Sequence, residues 1–289
     1  MITIKIWGGL GNQLFQYAFG YSLCKKSDQE MSLDFSFFDN QPVNTGKRNI
    51  GIDELNICEY KVFVPFFAVN LLNNKYIGAI TRNLPPTYWN IGRGYMYFKE
   101  PIHKYVENIK VYPNTYFDGY WQTSKYFSSC RTEIVNMFTP KEGLTENMRS
   151  LCNEMSFNNS VSVHIRKGDF GNGKFRKVGH TLPIEYYQRA IDIFNKKIES
   201  PKFYFFSDDS EWVKEQFGEK DNFFFASELG TKSAVDDLIA MSSCKHGIMS
   251  ASTFSWWGNW LRRDNEGMVI VPNGKYYNEY FYEPHWVKI

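Results

Sequence analysis

Three short polar clusters carry residue types that could hold an anion such as a phosphate. Arg166-Lys167-Gly168-Asp169 sets two cations and a carboxylate within one turn of chain. Arginine presents a planar, permanently charged fork that fits a phosphate, and lysine adds a point charge. Ser207-Asp208-Asp209 sets two acids side by side. Ionised carboxylates only accept hydrogen bonds, so Asp208 or Asp209 suits a purine edge or a ribose, or simply opens a solvated helix. Ser250-Ala251-Ser252-Thr253-Phe254-Ser255 stands where a helix begins. The free N–H groups of a helix start hold anions, although the same residues also read as a plain Ser/Thr cap. A fourth cluster lies earlier, in FDGYWQTSKYF from Phe117 to Phe127. Asp118, Tyr120, Trp121 and Gln122 supply an acid, two flat rings and an amide. Rings pack on the apolar face of a pyranose while polar groups take its hydroxyls; a strand end packed on a helix fits the residues equally.

The elements that must position these clusters are clearest in the second half. SVSVHI, Ser160–Ile165, is a short strand rich in β-branched residues, and the Arg166 cluster falls at its carboxyl end. His164 alternates with the apolar set and sits two residues before Arg166, which makes it a ligand-contact candidate, the other reading being that it satisfies a backbone group. A helix follows over 182–197, a strand over 202–206, a helix to Phe217 and a strand over 222–225. A helix over 234–244, a strand over 246–249, a helix over 254–262 and a strand over 268–271 complete the series. That alternation implies a parallel sheet with right-handed crossovers, a Rossmann-like domain. In such sheets ligands bind outside the carboxyl ends of the strands, where three of the clusters would gather.

The first half is less regular. Ile2–Trp7 reads as a strand, followed by Gly8-Gly9-Leu10-Gly11 and a helix through Leu14, Ala18 and Leu23. Strand, glycine turn and helix let a backbone approach a phosphate or sugar, but GGLG lacks the third glycine of a dinucleotide fingerprint. Met31–Phe38 and Thr115–Tyr120 are strand-like. From Gly51 to Lys110 no period is readable, and Pro85-Pro86 marks a break.

Composition narrows the function. Net charge is +2, too slight for a nucleic-acid footprint. The five cysteines are scattered, with no CxxC pair, as free thiols in a reducing compartment would be. The acids form the adjacent pairs Asp208-Asp209 and Asp236-Asp237, never Asp-x-Asp, so no metal is expected. The N-terminal MITIKIW reads as a strand and not a signal peptide, which leads us to expect a cytoplasmic protein. The apolar run Val62–Leu72 is too short for a span of roughly 20 residues; a buried helix is the plain reading and a peripheral membrane contact the other.

The motifs together resemble a known family. IWGGLGNQLFQYAFG, VHIRKGDF, FSDD and SASTFSWWGNWL are similar to those of inverting α1,2-fucosyltransferases of glycosyltransferase family 11, and FDGYWQTSKYF and LPIEYYQRAI to its bacterial members. The resemblance implies a GT-B-like α/β fold, two Rossmann-like domains facing a cleft. Residues 1–150 would form the acceptor-side domain with an irregular aromatic-rich insertion, and 151–289 the GDP-fucose-binding domain. It implies transfer of L-fucose from GDP-β-L-fucose to the 2-OH of a terminal galactoside, without a metal. Arg166 would hold the β-phosphate, His164 and Lys167 would lie near the nucleotide, Asp208 would contact guanine or ribose, and Ser252, Thr253 and Phe254 would line the diphosphate. Gly9, Gly11 and Asn12 would close over the donor. Lys167 stands where the family usually has a second arginine, so a bidentate contact there is lost. For the general base Asp169 is the first candidate, ahead of His180, Asp34 and Asp118. The expected partners are the sugar nucleotide, a galactose-terminated oligosaccharide and, peripherally, a membrane carrying a lipid-linked glycan. Rival readings are another sugar-nucleotide transferase and a non-catalytic carbohydrate-binding protein.

Overall fold

The computed structural model describes residues 1–39, 41, 47–63, 88–92, 94–101, 104–167, 181–263, 266–274 and 280–289. Two compact α/β units divide the chain. The first comprises Met1–Ile52, Ile57–Ile134 and Tyr277–Phe281, the second Asp53–Asn56, Val135–Tyr276 and Tyr282–Ile289. The second unit therefore takes up the chain at Val135, ahead of the division expected at residue 150. Each unit is Rossmann-like, the GT-B-like composition that the sequence implies.

In the first unit, β1 (Ile2–Lys5) leads through the glycine turn into α1 (Leu10–Ser27). Ile2 and Ile4 are fully buried, and so are Leu14, Phe15, Tyr17 and Ala18 of α1. A helix hidden nearly all round is a core helix rather than an amphipathic cover. It ends at Asp28, whose left-handed backbone (φ 52°) returns its N–H to the Cys24 carbonyl. The strand expected over 31–38 stops early, as β2 (Met31–Asp34). The Asp34 carboxylate accepts the Ser36 N–H at 2.8 Å, and the chain turns into the short α2 (Ser36–Asp39). Such a local side-chain bond competes with the strand ladder.

The stretch without a readable period holds β3 (Lys61–Val62), β4 (Tyr88–Gly92) and β5 (Tyr95–Lys99), followed by β6 (Thr115–Asp118). The sheet order is β3-β2-β1-β6-β5-β4. All neighbours are parallel except the antiparallel edge pair β4–β5. Cross-strand rings join that edge: Tyr88 meets Phe98 at 4.8 Å between centroids, and Trp89 meets Tyr97 at 5.4 Å. Rings on both faces erase the polar–apolar alternation that marks a strand. Most of the apolar run Val62–Leu72, together with Pro85-Pro86, lies outside the described residues.

The units divide within α3 (Arg131–Met137). In the second, α4 (Glu146–Phe157) is capped by Thr145, whose Oγ1 accepts the Met148 N–H. Its buried Met148, Leu151, Cys152 and Met155 fall at helical spacing. Then come β7 (Ser160–Ile165), α5 (Ile184–Lys197), β8 (Lys202–Ser207), α6 (Ser210–Phe217) and β9 (Phe223–Phe225). They are followed by α7 (Ala234–Ser243), β10 (His246–Ile248), α8 (Thr253–Trp260), β11 (Val269–Val271) and β12 (Val287–Lys288). The order β12-β11-β10-β7-β8-β9 is parallel throughout. Every residue of β7 is buried, as a central strand covered on both faces requires. Val161, Val163 and Ile165 join Phe203, Phe205, Tyr187, Ile191 and Phe194 in one core. Exposed β12, only two residues long, escapes sequence reading. All five cysteines are free thiols, and His246 is structural, its Nδ1 accepting the Met268 N–H at 3.0 Å.

Candidate active site

Two polar constellations stand at strand ends, one in each unit. In the second unit β7 lies between β8 and β10, so the turns leaving all three strands share one edge. His164 ties two of them together. Its Nδ1 lies 2.7 Å from Ser250 Oγ, and its ring centroid is 5.6 Å from that of Phe254. Burial first, then the Arg166 charge, pushes the imidazolium down to about 3, so the ring is neutral at ordinary pH. Arg166 follows at the carboxyl end of β7, half-buried. Lys167 joins β7 to β8. Its N–H donates to Asp208 Oδ1 at 2.9 Å, its Nζ meets Asp209 Oδ2 at 2.7 Å, and the ammonium sits 4.8 Å from the Trp212 ring centroid. The hydrogen bond from Lys167 holds the Asp209 carboxyl below its usual range. Asp209 also caps α6, accepting the Trp212 N–H.

Ser252 caps α8, its Oγ accepting the Phe254 N–H at 3.3 Å, and the first turn of α8 carries no acid. The plain cap is thus present, and the positive end of the helix is left without a carboxylate of its own. Thr253 is buried and Phe254 half-buried beside it. Where β8 ends, a cavity of about 260 Å³ opens, lined by Ser207, Ser227, Thr231, Ser233 and Asp237 among others. Burial is the main cause that raises the Asp237 carboxyl, to about 6. The sequence singled out Asp236-Asp237 only as a metal pair set aside. The helical start after Ser233, which caps α7, was the available signal for a lining role. Asp169 and His180 lie outside the described residues.

In the first unit the glycine turn is braced by amides. Gly8 takes φ +82°, and a Cβ there would come 2.7 Å from Asn12 Nδ2. Asn12 Oδ1 accepts from Gln122 Nε2 at 3.0 Å, which joins two residues that the sequence placed in different roles. Gln13 and Gln16 are fully buried. Gln13 spans the Gly8 and Asn49 carbonyls and the Gly51 N–H, while Gln16 takes the Trp7 N–H at 2.9 Å and gives Nε2 to the Gly119 carbonyl at 3.3 Å. Sequence reading passed over both. Amides standing three apart on an otherwise apolar helix face were the signal. Gly9 starts α1 in extended conformation and Gly11 is buried within it; an added Cβ at Gly9 would touch nothing within 4 Å, so that backbone is openly approachable.

Asp118 is bonded within its own unit. Its Oδ2 receives Lys5 Nζ at 3.2 Å and the Tyr97 hydroxyl at 3.0 Å. Asp34 is fully buried, bonded by the Tyr116 hydroxyl at 2.5 Å as well as by Ser36. The expectation for Trp121 needs correction. Its ring is fully buried and stacks on Phe19 at 3.7 Å between centroids, within 2° of parallel. No face is left for a sugar: Trp121 is core. The exposed ring is Tyr120, 38% accessible, which packs against Trp7 at 4.2 Å. Trp7 was not among the expected site residues.

Between these rings the chain makes an unusual turn. Trp121 is left-handed at φ +58°, a conformation that costs an L-residue roughly 1–2 kcal/mol. Glu100, which the sequence did not mark, holds it. Its Oε2 accepts the N–H of Tyr120 and that of Trp121, both at 2.7 Å, and the Tyr126 hydroxyl stands 3.4 Å from Oε1. Burial outweighs these bonds and raises the Glu100 carboxyl to about 7.

Among the described residues no helix is long and apolar enough to cross a membrane, and no group of three or more His, Cys, Asp or Glu is placed to hold a metal ion. A family profile described as "Glycosyl transferase family 11" matches residues 54–289. An Escherichia coli protein named alpha-1,2-colitosyltransferase is 30% identical over 94% of this chain and 91% of its own length. The Escherichia coli O-antigen biosynthesis glycosyltransferase WbnK is 28% identical over 92% of this chain and 91% of its own. The Mus musculus galactoside 2-alpha-L-fucosyltransferase Sec1 is 22% identical over 100% of this chain and 74% of its own.

Proposed function

Because the chain belongs to glycosyl transferase family 11, and is therefore an enzyme that moves a sugar onto an acceptor, we propose that it transfers L-fucose from GDP-β-L-fucose to the 2-OH of a terminal galactoside. The names of its relatives support an α1,2 linkage and a galactoside acceptor, and that of WbnK a role in O-antigen-type polysaccharide synthesis. The observation that carries the donor side is the shared edge of β7, β8 and β10. There His164 and Ser250 fasten the strand bearing Arg166 to the turn that opens α8.

The reaction is a single in-line displacement. The acceptor oxygen forms a bond to the anomeric carbon as the bond to the β-phosphate oxygen breaks, and its electron pair leaves with GDP, inverting the centre. Developing charge on that phosphate is where fixed positive groups lower the barrier most. Arg166 and the N–H groups opening α8 supply them, which is why a metal is not invoked. Asp169, next to this cluster in sequence, is assigned the proton of the attacking hydroxyl. Lys167, already paired with Asp209, keeps the strand ends in register and adds charge. The cavity beside Ser207 is smaller than the roughly 300–1,000 Å³ that enclose a whole drug-sized ligand, so it is assigned the base alone. An ionised Asp237 there accepts the two adjacent N–H donors of guanine, a task given to Asp208 on sequence grounds. In the first unit Tyr120 and Trp7 offer the acceptor its ring surface, and Asn12 and Gln122 its amides.

The relatives' names differ in the sugar moved, colitosyl in one and fucosyl in another, so the donor sugar is the point to test. The enzyme is incubated with GDP-fucose and lactose, and the product is isolated. A trisaccharide with fucose on the galactose 2-OH is expected. A product fucosylated elsewhere, or transfer only from a different sugar nucleotide, overturns the assignment.

A further inference from the structure

We propose that Glu100 is a positioning residue for acceptor binding: its ionised carboxylate holds the Gly119–Trp121 turn in the one shape that presents Tyr120 to the acceptor. The inference rests on the acceptor reading of Tyr120 and goes beyond it to what controls that ring.

The geometry is that of an anion nest filled from within the chain. Successive N–H groups of a turn with one left-handed residue converge on a single point, a shape that binds anions. Here the point is Oε2 of Glu100, 2.7 Å from the N–H groups of both Tyr120 and Trp121. The turn is seated directly on this side chain: a Cβ at Gly119 would fall 2.5 Å from Glu100 Cβ. From the opposite side Gln16 holds the Gly119 carbonyl, and Gln16 also holds Trp7. Thus the two rings in contact, Trp7 and Tyr120, hang from Gln16, and Tyr120 alone from Glu100 as well. Trp121 anchors in the core immediately after, so the backbone between β6 and that anchor has little room to adjust. Charge-assisted bonds of this kind are about twice as strong as neutral ones and fade when the carboxyl is protonated.

The charged and titratable groups facing Glu100 are Asp118 at the end of β6, Tyr120 in the turn, and Tyr126 beyond it. Asp118 is itself paired with Lys5, and both tyrosine hydroxyls are pushed upward by burial, so neither ionises near neutrality. Glu100 is then the group that titrates there, near 7. Above that pH it is ionised and the turn is held; below it the bonds weaken.

The test is steady-state kinetics of the wild type, Glu100→Gln and Tyr120→Ala from pH 6 to 8.5, with lactose varied at saturating GDP-fucose. For Glu100→Gln we expect KM for lactose at least ~10-fold higher, the scale of a lost bond to a charged group, with kcat and GDP affinity near wild type. The wild-type kcat/KM for lactose should fall on the acid side with a midpoint near 7, and Glu100→Gln should lack that limb. An unchanged KM together with an unchanged acid limb in Glu100→Gln overturns the proposal. If that variant does not fold, the wild-type profile decides, and a flat profile through pH 7 overturns it. A Tyr120→Ala enzyme with wild-type KM for lactose would instead take down the acceptor reading itself, and this inference with it.

Discussion

In the proposed reaction Arg166 is the residue on which the chemistry turns. It stands at the end of a buried strand, and its planar guanidinium fork matches a phosphate. Replacing it by alanine should lower kcat by at least ~10²-fold, the scale of losing one fixed donor from a site of developing charge. Turnover near wild type in Arg166→Ala would contradict its role. The arginine was legible because charge after a β-branched run is conspicuous. Glu100, Gln13 and Gln16 were not, because their work is done on backbone groups distant in sequence, and a lone carboxylate or amide announces no partner. Trp121 misled for the same reason. A tryptophan beside a tyrosine reads as a pair of surface rings until the left-handed turn sends one of them inward.

The elements separate these two rings by consequence. Trp121 fills the core between α1 and β6, stacked on Phe19 and edge-on to Phe117 and Tyr126. Trp121→Phe should therefore lower unfolding stability by about 1–3 kcal/mol, read by urea denaturation, while KM for the acceptor stays within ~3-fold of wild type. A stable variant with a much poorer acceptor KM would return Trp121 to the sugar site. Element reading succeeded where strands are buried on both faces and helices show one apolar stripe, from β7 through β11. It failed where a side chain rewrote the backbone locally, as at Asp34, and where rings occupy both faces of β4 and β5. Neither failure touches the strand ends of the second unit, because the parallel order alone collects them.

At the scale of the molecule the chain has two α/β units with their polar strand ends built differently. The second offers fixed positive charge and a small cavity, suited to a nucleotide diphosphate; the first offers rings, amides and braced glycines, suited to a sugar. The proposed function gives both a part in one reaction, and its central claim is that GDP-fucose is consumed only when a galactoside accepts its sugar. The most direct measurement is GDP release from GDP-fucose, with and without lactose, each in the presence and absence of EDTA. The account predicts release that depends on lactose and is unaffected by EDTA. Failure to release GDP by a protein that binds neither GDP nor GDP-fucose would contradict it.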